Sequence, residues 1–111
     1  SKDMPKKQRQ LATDSAILSK LKVGHVVVVD ELKFEKPKTK EFAKILGNLK
    51  IDRSCVVAIR EPDENLYMSA RNVPGIAVMK SMDLNAGDIC NRQKMLFTKD
   101  AFMGLIESKK N

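Results

Sequence analysis

The residues in this sequence that could do chemistry are an acidic pair, Asp30 and Glu31, and a hydroxyl followed by an amine, Thr98 and Lys99. Each pair follows or ends an apolar run with the composition of a β-strand. Because the carboxyl ends of parallel strands share one edge of a sheet, the four side chains are expected to lie together. Carboxylates, a hydroxyl and a lysine at that edge define one candidate catalytic site, which would hold Mg²⁺ and a phosphoryl group.

Two features argue against this catalytic site. A receiver-like domain needs an aspartate at the end of a middle strand, whereas Ile59 is followed by Arg60 and Met79 by Lys80, cations that would repel Mg²⁺. The glycines stand singly and form neither a dinucleotide fingerprint nor a phosphate-binding GxxxxGK loop. A receiver-like or nucleotide-dependent α/β enzyme with an acidic magnesium site is therefore kept only as the alternative. We predict no catalytic residue, no metal ligand and no cofactor.

The remaining nucleophile and base types are too isolated for catalysis. His25 stands at the entry to a strand, and neither Cys55 nor Cys90 has a histidine partner at the catalytic edge. Two cysteines are too few for a disulfide framework, so we expect both thiols to be reduced and to lie in or near the core. No apolar run has the length of a membrane span and no signal peptide is evident, so no membrane partner is expected.

The strand pattern predicts the architecture that positions these residues. Val26–Val29 is four β-branched residues in a row, which is typical of a strand buried on both faces and makes it the expected centre of the sheet. Three further runs, Cys55–Ile59, Ile76–Met79 and Met95–Phe97, follow after segments long enough for crossover helices. We predict a three-layer α/β/α sandwich with a mostly parallel four-stranded sheet.

Helical periodicity fills the segments between the strands. Residues 5–22 are predicted to form an amphipathic helix that precedes the first strand. Thr39 is placed to cap a second helix, and Asn72 to end a third in the left-handed conformation.

The charge balance favours a polyanionic partner. Lys and Arg number 21 against 14 Asp and Glu, and residues 1–50 hold 12 of the cations and 6 of the acids. Cations crowd the first turn of the first helix and the start of the second, where an external phosphate would be favoured. The chain is therefore predicted to be a single RNA-binding domain over residues 1–111, with flexible ends at 1–4 and 108–111. A protein-interaction module with a solvated basic face is the other interpretation.

Six stretches, taken in order, carry a family resemblance. The most specific is Glu64–Gly75, ENLYMSARNVPG. The others are Met4–Lys7, Val27–Asp30 with Leu32, Pro37–Phe42, Leu84–Asn85 and Leu96–Ala101. On these residues the chain resembles the C-terminal portion of the large-subunit ribosomal protein four of the universal set, in its bacterial or organellar form.

The resemblance implies a structural constituent of the large ribosomal subunit that binds ribosomal RNA, supports subunit assembly and has no enzyme activity. It implies the ribosome of a bacterial cytoplasm, a mitochondrion or a plastid, with neighbouring large-subunit proteins as partners. The family's N-terminal strand and tunnel extension would precede Ser1. We therefore expect one part of a longer protein, with a separate N-terminal half as a further partner.

The resemblance also implies RNA contacts by position. Arg71 and Asn72 are expected to make the more selective ones. The full set is Lys6, Lys7, Arg9, Lys36, Lys38, Thr39, Lys40, Arg71, Asn72, Arg92 and Lys94.

Overall fold

The computed structural model describes residues 6–51 and 53–108, with side chains described for 10–51 and 53–107. Of the predicted flexible ends 1–4 and 108–111, residues 1–4 and 109–111 lie outside the described residues. Ser108 is described through its backbone alone, as the last residue of a helix. In this part of the chain the elements are α1 Lys6–Lys22, β1 Val26–Val29, α2 Thr39–Asn48, β2 Cys55–Ile59, α3 Glu64–Ala70, β3 Ile76–Lys80, a 3₁₀ helix Ser81–Asp83, α4 Ala86–Cys90, β4 Lys94–Thr98 and α5 Lys99–Ser108. None of these helices is long and apolar enough to cross a membrane.

The described strands form one parallel sheet in the order β1-β4-β2-β3. Met95 of β4 lies opposite Val26 of β1 and Val56 of β2, and Cys55 lies opposite Ile76 of β3. Because every pair is parallel, all strands begin at one edge of the sheet, the amino edge, and end at the other, the carboxyl edge. The prediction of a mostly parallel four-stranded sheet is confirmed.

Helices cover both faces of the sheet, which confirms the three-layer sandwich. On one face α2 and α3 supply a buried cluster that includes Phe42, Leu46, Leu66, Val57 and Leu96. On the other face α1, α4 and α5 supply a cluster that includes Ile17, Ile89, Ala101, Val56 and Phe97. Successive residues of a strand point to opposite faces, so Val56 and Val57 enter different clusters. This is why β2 is apolar at every position.

The valine strand β1 is at the side of the sheet and not at its centre. Among the described strands β1 pairs with β4 alone, and Val28 is 43% exposed. All five residues of β2 are buried instead. The prediction that Val26–Val29 is buried on both faces was therefore wrong. A run of β-branched residues indicates a strand with apolar faces, but it carries no information about how many neighbours that strand has.

The start of α2 differs from the predicted cap. Lys38 occupies the N-cap position and Thr39 is already helical, with no side-chain capping bond. The Lys38 backbone N–H donates to Ser69 Oγ at 2.8 Å instead. The hydroxyl of another helix thus holds the backbone of the N-cap residue, whereas a Thr39 cap would have accepted an N–H of the first turn of α2.

The end of α3 also differs from the prediction. The C-cap Arg71 remains right-handed with φ −59°, and the left-handed conformation falls on Gly75, at φ +80°, rather than on Asn72. A Cβ at Gly75 would lie 3.3 Å from the Ser54 Cα, so the turn into β3 needs glycine for its backbone angle and for the close approach.

The two thiols lie in different surroundings. Cys55 is fully buried in β2, and burial raises the pKa of its thiol from 9.0 to about 12. A hydrogen bond with the Leu96 backbone and the nearby charges of Lys94 and Arg92 offset part of this rise in pKa. Cys90 is exposed at the end of α4, so the expectation that both thiols lie in or near the core was wrong for this residue.

We expect the free energy of unfolding to fall steeply above pH 9 because of Cys55. The unfolded thiol ionises near pH 9.0, whereas the folded thiol keeps its proton to about pH 12. The unfolded state therefore binds fewer protons in this window, and stability falls by up to about 1.4 kcal/mol per pH unit. Urea unfolding of the parent and of Cys55→Val between pH 8 and 10.5 measures the difference. Cys90→Ser should behave like the parent, and superimposable pH curves for the parent and Cys55→Val would contradict the burial of this thiol.

Candidate nucleic-acid interface

The parallel sheet gathers four of the predicted RNA-contacting residues at its amino edge. Arg71 and Asn72 precede β3, whereas Arg92 precedes β4 and Lys94 begins it. Because β2 separates β3 and β4, these residues come from both sides of the most buried strand. We call Arg71, Asn72, Arg92 and Lys94 the amino-edge cluster.

Two side chains of the amino-edge cluster are held against the backbone. Arg92 Nη1 donates to the Gly75 carbonyl oxygen at 2.8 Å, and Lys94 Nζ donates to the Lys50 carbonyl oxygen at 2.8 Å. A guanidinium has five N–H donors and an ammonium three, so each group retains donors beyond these bonds. Both residues are partly exposed, so those donors are available to phosphate oxygens.

Backbone bonds fix the loop that carries these cations. The Gln93 N–H donates to Ser54 Oγ at 2.8 Å, and the Lys94 N–H donates to the Ser54 carbonyl at 3.1 Å. The Cys55 N–H donates to the Gly75 carbonyl at 2.9 Å, so the same carbonyl receives both a strand bond and Arg92. The cluster therefore sits on a rigid sheet edge, which lowers the entropy cost of ordering its side chains on binding.

The second predicted group lies at the start of α2, and the loop before it runs along α3. Asn65 Nδ2 donates to the carbonyl oxygens of Phe34 and Glu35, at 2.9 and 3.2 Å. One turn further along α3, Ser69 Oγ accepts the Lys38 N–H and itself donates to the Asn65 carbonyl at 2.7 Å. The last turn of α3 thus fixes the start of α2. Arg71 of the amino-edge cluster is two residues after Ser69 in the sequence.

The side chains of this second group differ in availability. Lys36 and Lys40 are exposed, and Thr39 is partly buried. Lys38 Nζ lies 3.8 Å from Glu41 Oε2, a surface ion pair. Such a pair contributes at most about 1 kcal/mol to stability, so a phosphate can displace the Glu41 carboxylate. Glu41 therefore competes with a phosphate for Lys38 but not for Lys40.

The third predicted group lies at the start of α1. The first turn of this helix contains no acidic residue. The first turns of α1 contain Lys6, Lys7 and Arg9. Their side chains fall outside the described part of the chain. Their predicted contacts stay predictions.

Sequence reasoning missed two cations beside the amino-edge cluster. Lys50 and Arg53 precede β2 as Arg71 precedes β3, and both are exposed. Lys50 holds φ +59° in the turn out of α2, and its carbonyl receives Lys94 Nζ. Their position in the loop that leads into a predicted strand was the available signal, since the strands were predicted to be parallel.

The opposite edge brings the candidate catalytic residues together. Asp30, Glu31, Thr98 and Lys99 all line one cavity of about 610 Å³ at the carboxyl edge. Thr98 Oγ1 donates to Asp100 Oδ1 at 2.8 Å, which also accepts the Ala101 N–H at 2.9 Å. The hydroxyl and that carboxylate are therefore engaged in organising the start of α5.

The composition of this cavity does not support the enzyme alternative. Its carboxylates are Asp30, Glu31, Glu61, Asp63 and Asp100, and its cations are Lys33, Arg60 and Lys99. Five carboxylates and three cations give the cavity lining an excess of two negative charges. The cations line the same cavity as the acids and would repel a metal ion. Within residues 6–51 and 53–108, no three His, Cys, Asp or Glu side chains form a group that could hold a metal ion.

The fold and the charges define a three-layer α/β domain with cations along the amino edge of its sheet and acids at the other edge. This chain belongs to the ribosomal protein L4/L1 family, whose model matches residues 1–108. The match falls on the C-terminal part of the family's proteins.

Curated bacterial relatives agree with this membership. The large ribosomal subunit protein uL4 of Symbiobacterium thermophilum is 45% identical over 98 residues, which are 88% of this chain and 47% of the relative. The uL4 protein of Pelotomaculum thermopropionicum is 45% identical over 101 residues, 91% and 48% of the two chains. That of Carboxydothermus hydrogenoformans is 39% identical over 107 residues, 96% and 52%. The chain thus spans about half the length of the relatives it matches.

Proposed function

We propose that this chain is a structural, RNA-binding part of the large ribosomal subunit. The observation that carries the proposal is the amino-edge cluster, in which Arg92 and Lys94 are anchored to backbone carbonyls and keep further donors toward solvent. The relatives are named for the large ribosomal subunit, which supports ribosomal RNA as the polyanion. The alternative, a magnesium-dependent enzyme, lacks a comparable arrangement in the described residues.

The proposed contacts divide by chemistry. The lysines and the other arginines meet phosphates and set the orientation of the domain. Arg71 and Asn72 make the more selective contacts, and the Asn72 amide, with a donor and an acceptor, can distinguish base edges or 2′-hydroxyl groups. The proposed set is Lys6, Lys7, Arg9, Lys36, Lys38, Thr39, Lys40, Arg71, Asn72, Arg92 and Lys94. A structural role of this kind needs no catalysis and no cofactor.

The proposed partners and location follow from the same role. The domain packs among neighbouring large-subunit proteins, supports assembly of the subunit, and resides in the ribosome of a bacterial cytoplasm or of an organelle. Since the chain spans about half of its relatives' length, a separate N-terminal half is a further proposed partner. Copurification of the chain with assembling large subunits tests this part of the proposal.

The binding of large-subunit ribosomal RNA over a salt series tests the proposed function. The parent should bind it more tightly than unrelated structured RNA, with a steep log–log slope. Lys40→Ala should lower that slope by about 0.7 to 0.9 and weaken binding to all sequences alike, because one phosphate contact is lost. Lys99→Ala, which removes an exposed lysine at the carboxyl edge, is the matched control and should change neither the slope nor the affinity. A flat slope for the parent would overturn the proposed function.

A further inference from the structure

A groove lies beside β3 and adjoins the amino-edge cluster at Arg71. In the described sheet β3 pairs with β2 on one side only. Tyr67 of α3 lies next to β3, and this residue is 52% exposed. Two recesses, of about 330 and 270 Å³, are each lined by both Tyr67 and Val78. Tyr67 and Val78 are thus shared by two recesses along the unpaired side of β3.

The two recesses differ in charge. The larger one is lined by Asp63 and Glu64, whose carboxylates disfavour an anion, as well as by Lys80. Among the described residues, the smaller one has Arg71 as its only charged lining residue. Its volume of about 270 Å³ is roughly nine times the 30 Å³ share of a liquid water molecule, enough for a heterocyclic ring. The smaller recess thus combines an aromatic wall, an apolar floor and one cation.

The strand backbone adds hydrogen-bonding groups to this recess. In a parallel strand, alternate residues direct their N–H and C=O groups to opposite sides. The Cys55 N–H donates to the Gly75 carbonyl, so Gly75, Ala77 and Met79 face β2. The N–H and C=O of Val78 consequently face the unpaired side, at the floor of the groove. They offer one donor and one acceptor to a ligand that lies against Tyr67.

We propose that the smaller recess binds one unpaired nucleotide of ribosomal RNA. The base stacks on the Tyr67 ring with its edge toward the Val78 backbone, and Arg71 contacts the adjoining phosphate. This proposal rests on the proposed function, because it assumes RNA as the partner. Every nucleobase has a π-face, so the stacking is tolerant of sequence, whereas the Val78 groups favour bases with a matching donor and acceptor.

The charges favour a nucleotide over an extended polypeptide, the other occupant that an unpaired strand can take. Arg71 belongs to the amino-edge cluster, so the recess is continuous with the surface proposed to bind phosphates. The whole chain carries a net charge of +7, which attracts a polyanion. A polypeptide would be recognised through the strand backbone and would need no cation at the recess.

The tyrosine itself reports on this site, since the chain contains one Tyr and no Trp. Single-stranded oligoribonucleotides of eight residues, one for each base, should quench the fluorescence of Tyr67 saturably. An abasic oligonucleotide of equal charge should not. Tyr67→Leu should weaken binding of the base-containing oligonucleotides about 5- to 150-fold, measured by anisotropy of a labelled strand, and Tyr67→Phe should retain it.

Leu18→Ala on α1 is the matched control, because Leu18 is also 52% exposed but lies in the opposite helical layer. Equal affinity of the parent and Tyr67→Leu for oligonucleotides would overturn the nucleotide site. If the salt-dependent binding of ribosomal RNA persisted in that case, the proposed function would stand without it. Quenching by the abasic strand, or by ribosomal proteins in the absence of RNA, would also overturn the site. If the parent itself did not bind ribosomal RNA, the proposed function would be rejected instead.

Discussion

Replacing Arg92 and Lys94 together by alanine is expected to weaken the binding of large-subunit ribosomal RNA about 40-fold at 0.1 M salt. Each lost phosphate contact removes about 0.7 to 0.9 from the log–log salt slope, so the loss of two contacts lowers the slope by about 1.6. If the two proteins bind equally at 1 M salt, this difference in slope weakens binding by the variant about 40-fold at 0.1 M. The two side chains are held to carbonyls by 2.8 Å bonds, so their contribution is preorganised. Filter binding or fluorescence anisotropy between 0.05 and 0.4 M salt measures the affinity and the slope.

The chain offers a matched control for this double variant. Arg60→Ala with Lys99→Ala also removes one arginine and one lysine, but from the carboxyl edge. This variant should keep the parent slope. If both double variants lost affinity equally, net charge rather than the amino edge would determine binding. Thermal unfolding of both is compared, since Arg92 also bonds the Gly75 carbonyl.

Phe97→Ala is expected to lower the free energy of unfolding by about 3 to 5 kcal/mol. Phe97 is fully buried in β4, one of the two inner strands, and its ring contacts that of Phe102 edge-on at a centroid distance of 5.3 Å. Truncation removes this packing and leaves a cavity between the sheet and α5. The loss is a large part of the 5 to 15 kcal/mol typical of a domain's total stability. Urea unfolding without RNA measures it.

Phe34→Ala makes a useful comparison for that measurement. Phe34 is only partly buried, in the loop before α2, where it contacts Phe42 edge-on at 6.3 Å. Its truncation should therefore cost clearly less than that of Phe97. An equal cost for the two variants would contradict the assignment of β4 to the interior of the sheet.

The strands and the layers could be predicted because their signals are local. Apolar runs of strand length, separated by helical segments, lead to an α/β/α sandwich. The order of the strands could not be predicted in the same way. Val26–Val29 is more uniformly β-branched than Lys94–Thr98, yet the second run is inner and the first is at the side. That order depends on how the crossovers pack, which the composition of a single strand does not record.

The candidate site was predictable to the extent that it follows from the parallel topology. Asp30 and Thr98 line one cavity at the carboxyl edge, as expected from the parallel strands. The same topology places Arg71 and Arg92 before strands at the amino edge, which was not predicted from the sequence. What failed depended on distant partners. Thr39 does not cap α2, because the helix begins at Thr39 itself and Lys38 takes the N-cap position, where its N–H bonds the Ser69 hydroxyl. Gly75 rather than Asn72 takes the left-handed conformation, and the Ser54 backbone lies close to where a side chain at Gly75 would be.

The opposite character of the two sheet edges affects how quickly a complex forms, as well as how tightly. With acids in excess around the carboxyl-edge cavity and Arg92 and Lys94 at the other edge, the domain is an electrostatic dipole along its strands. Near a polyanion such a dipole rotates before contact, so that more encounters begin with the cations foremost. Lowering the salt concentration should therefore raise the association rate constant for RNA. The increase should be larger than for a protein of the same net charge of +7 whose charges are spread evenly over its surface.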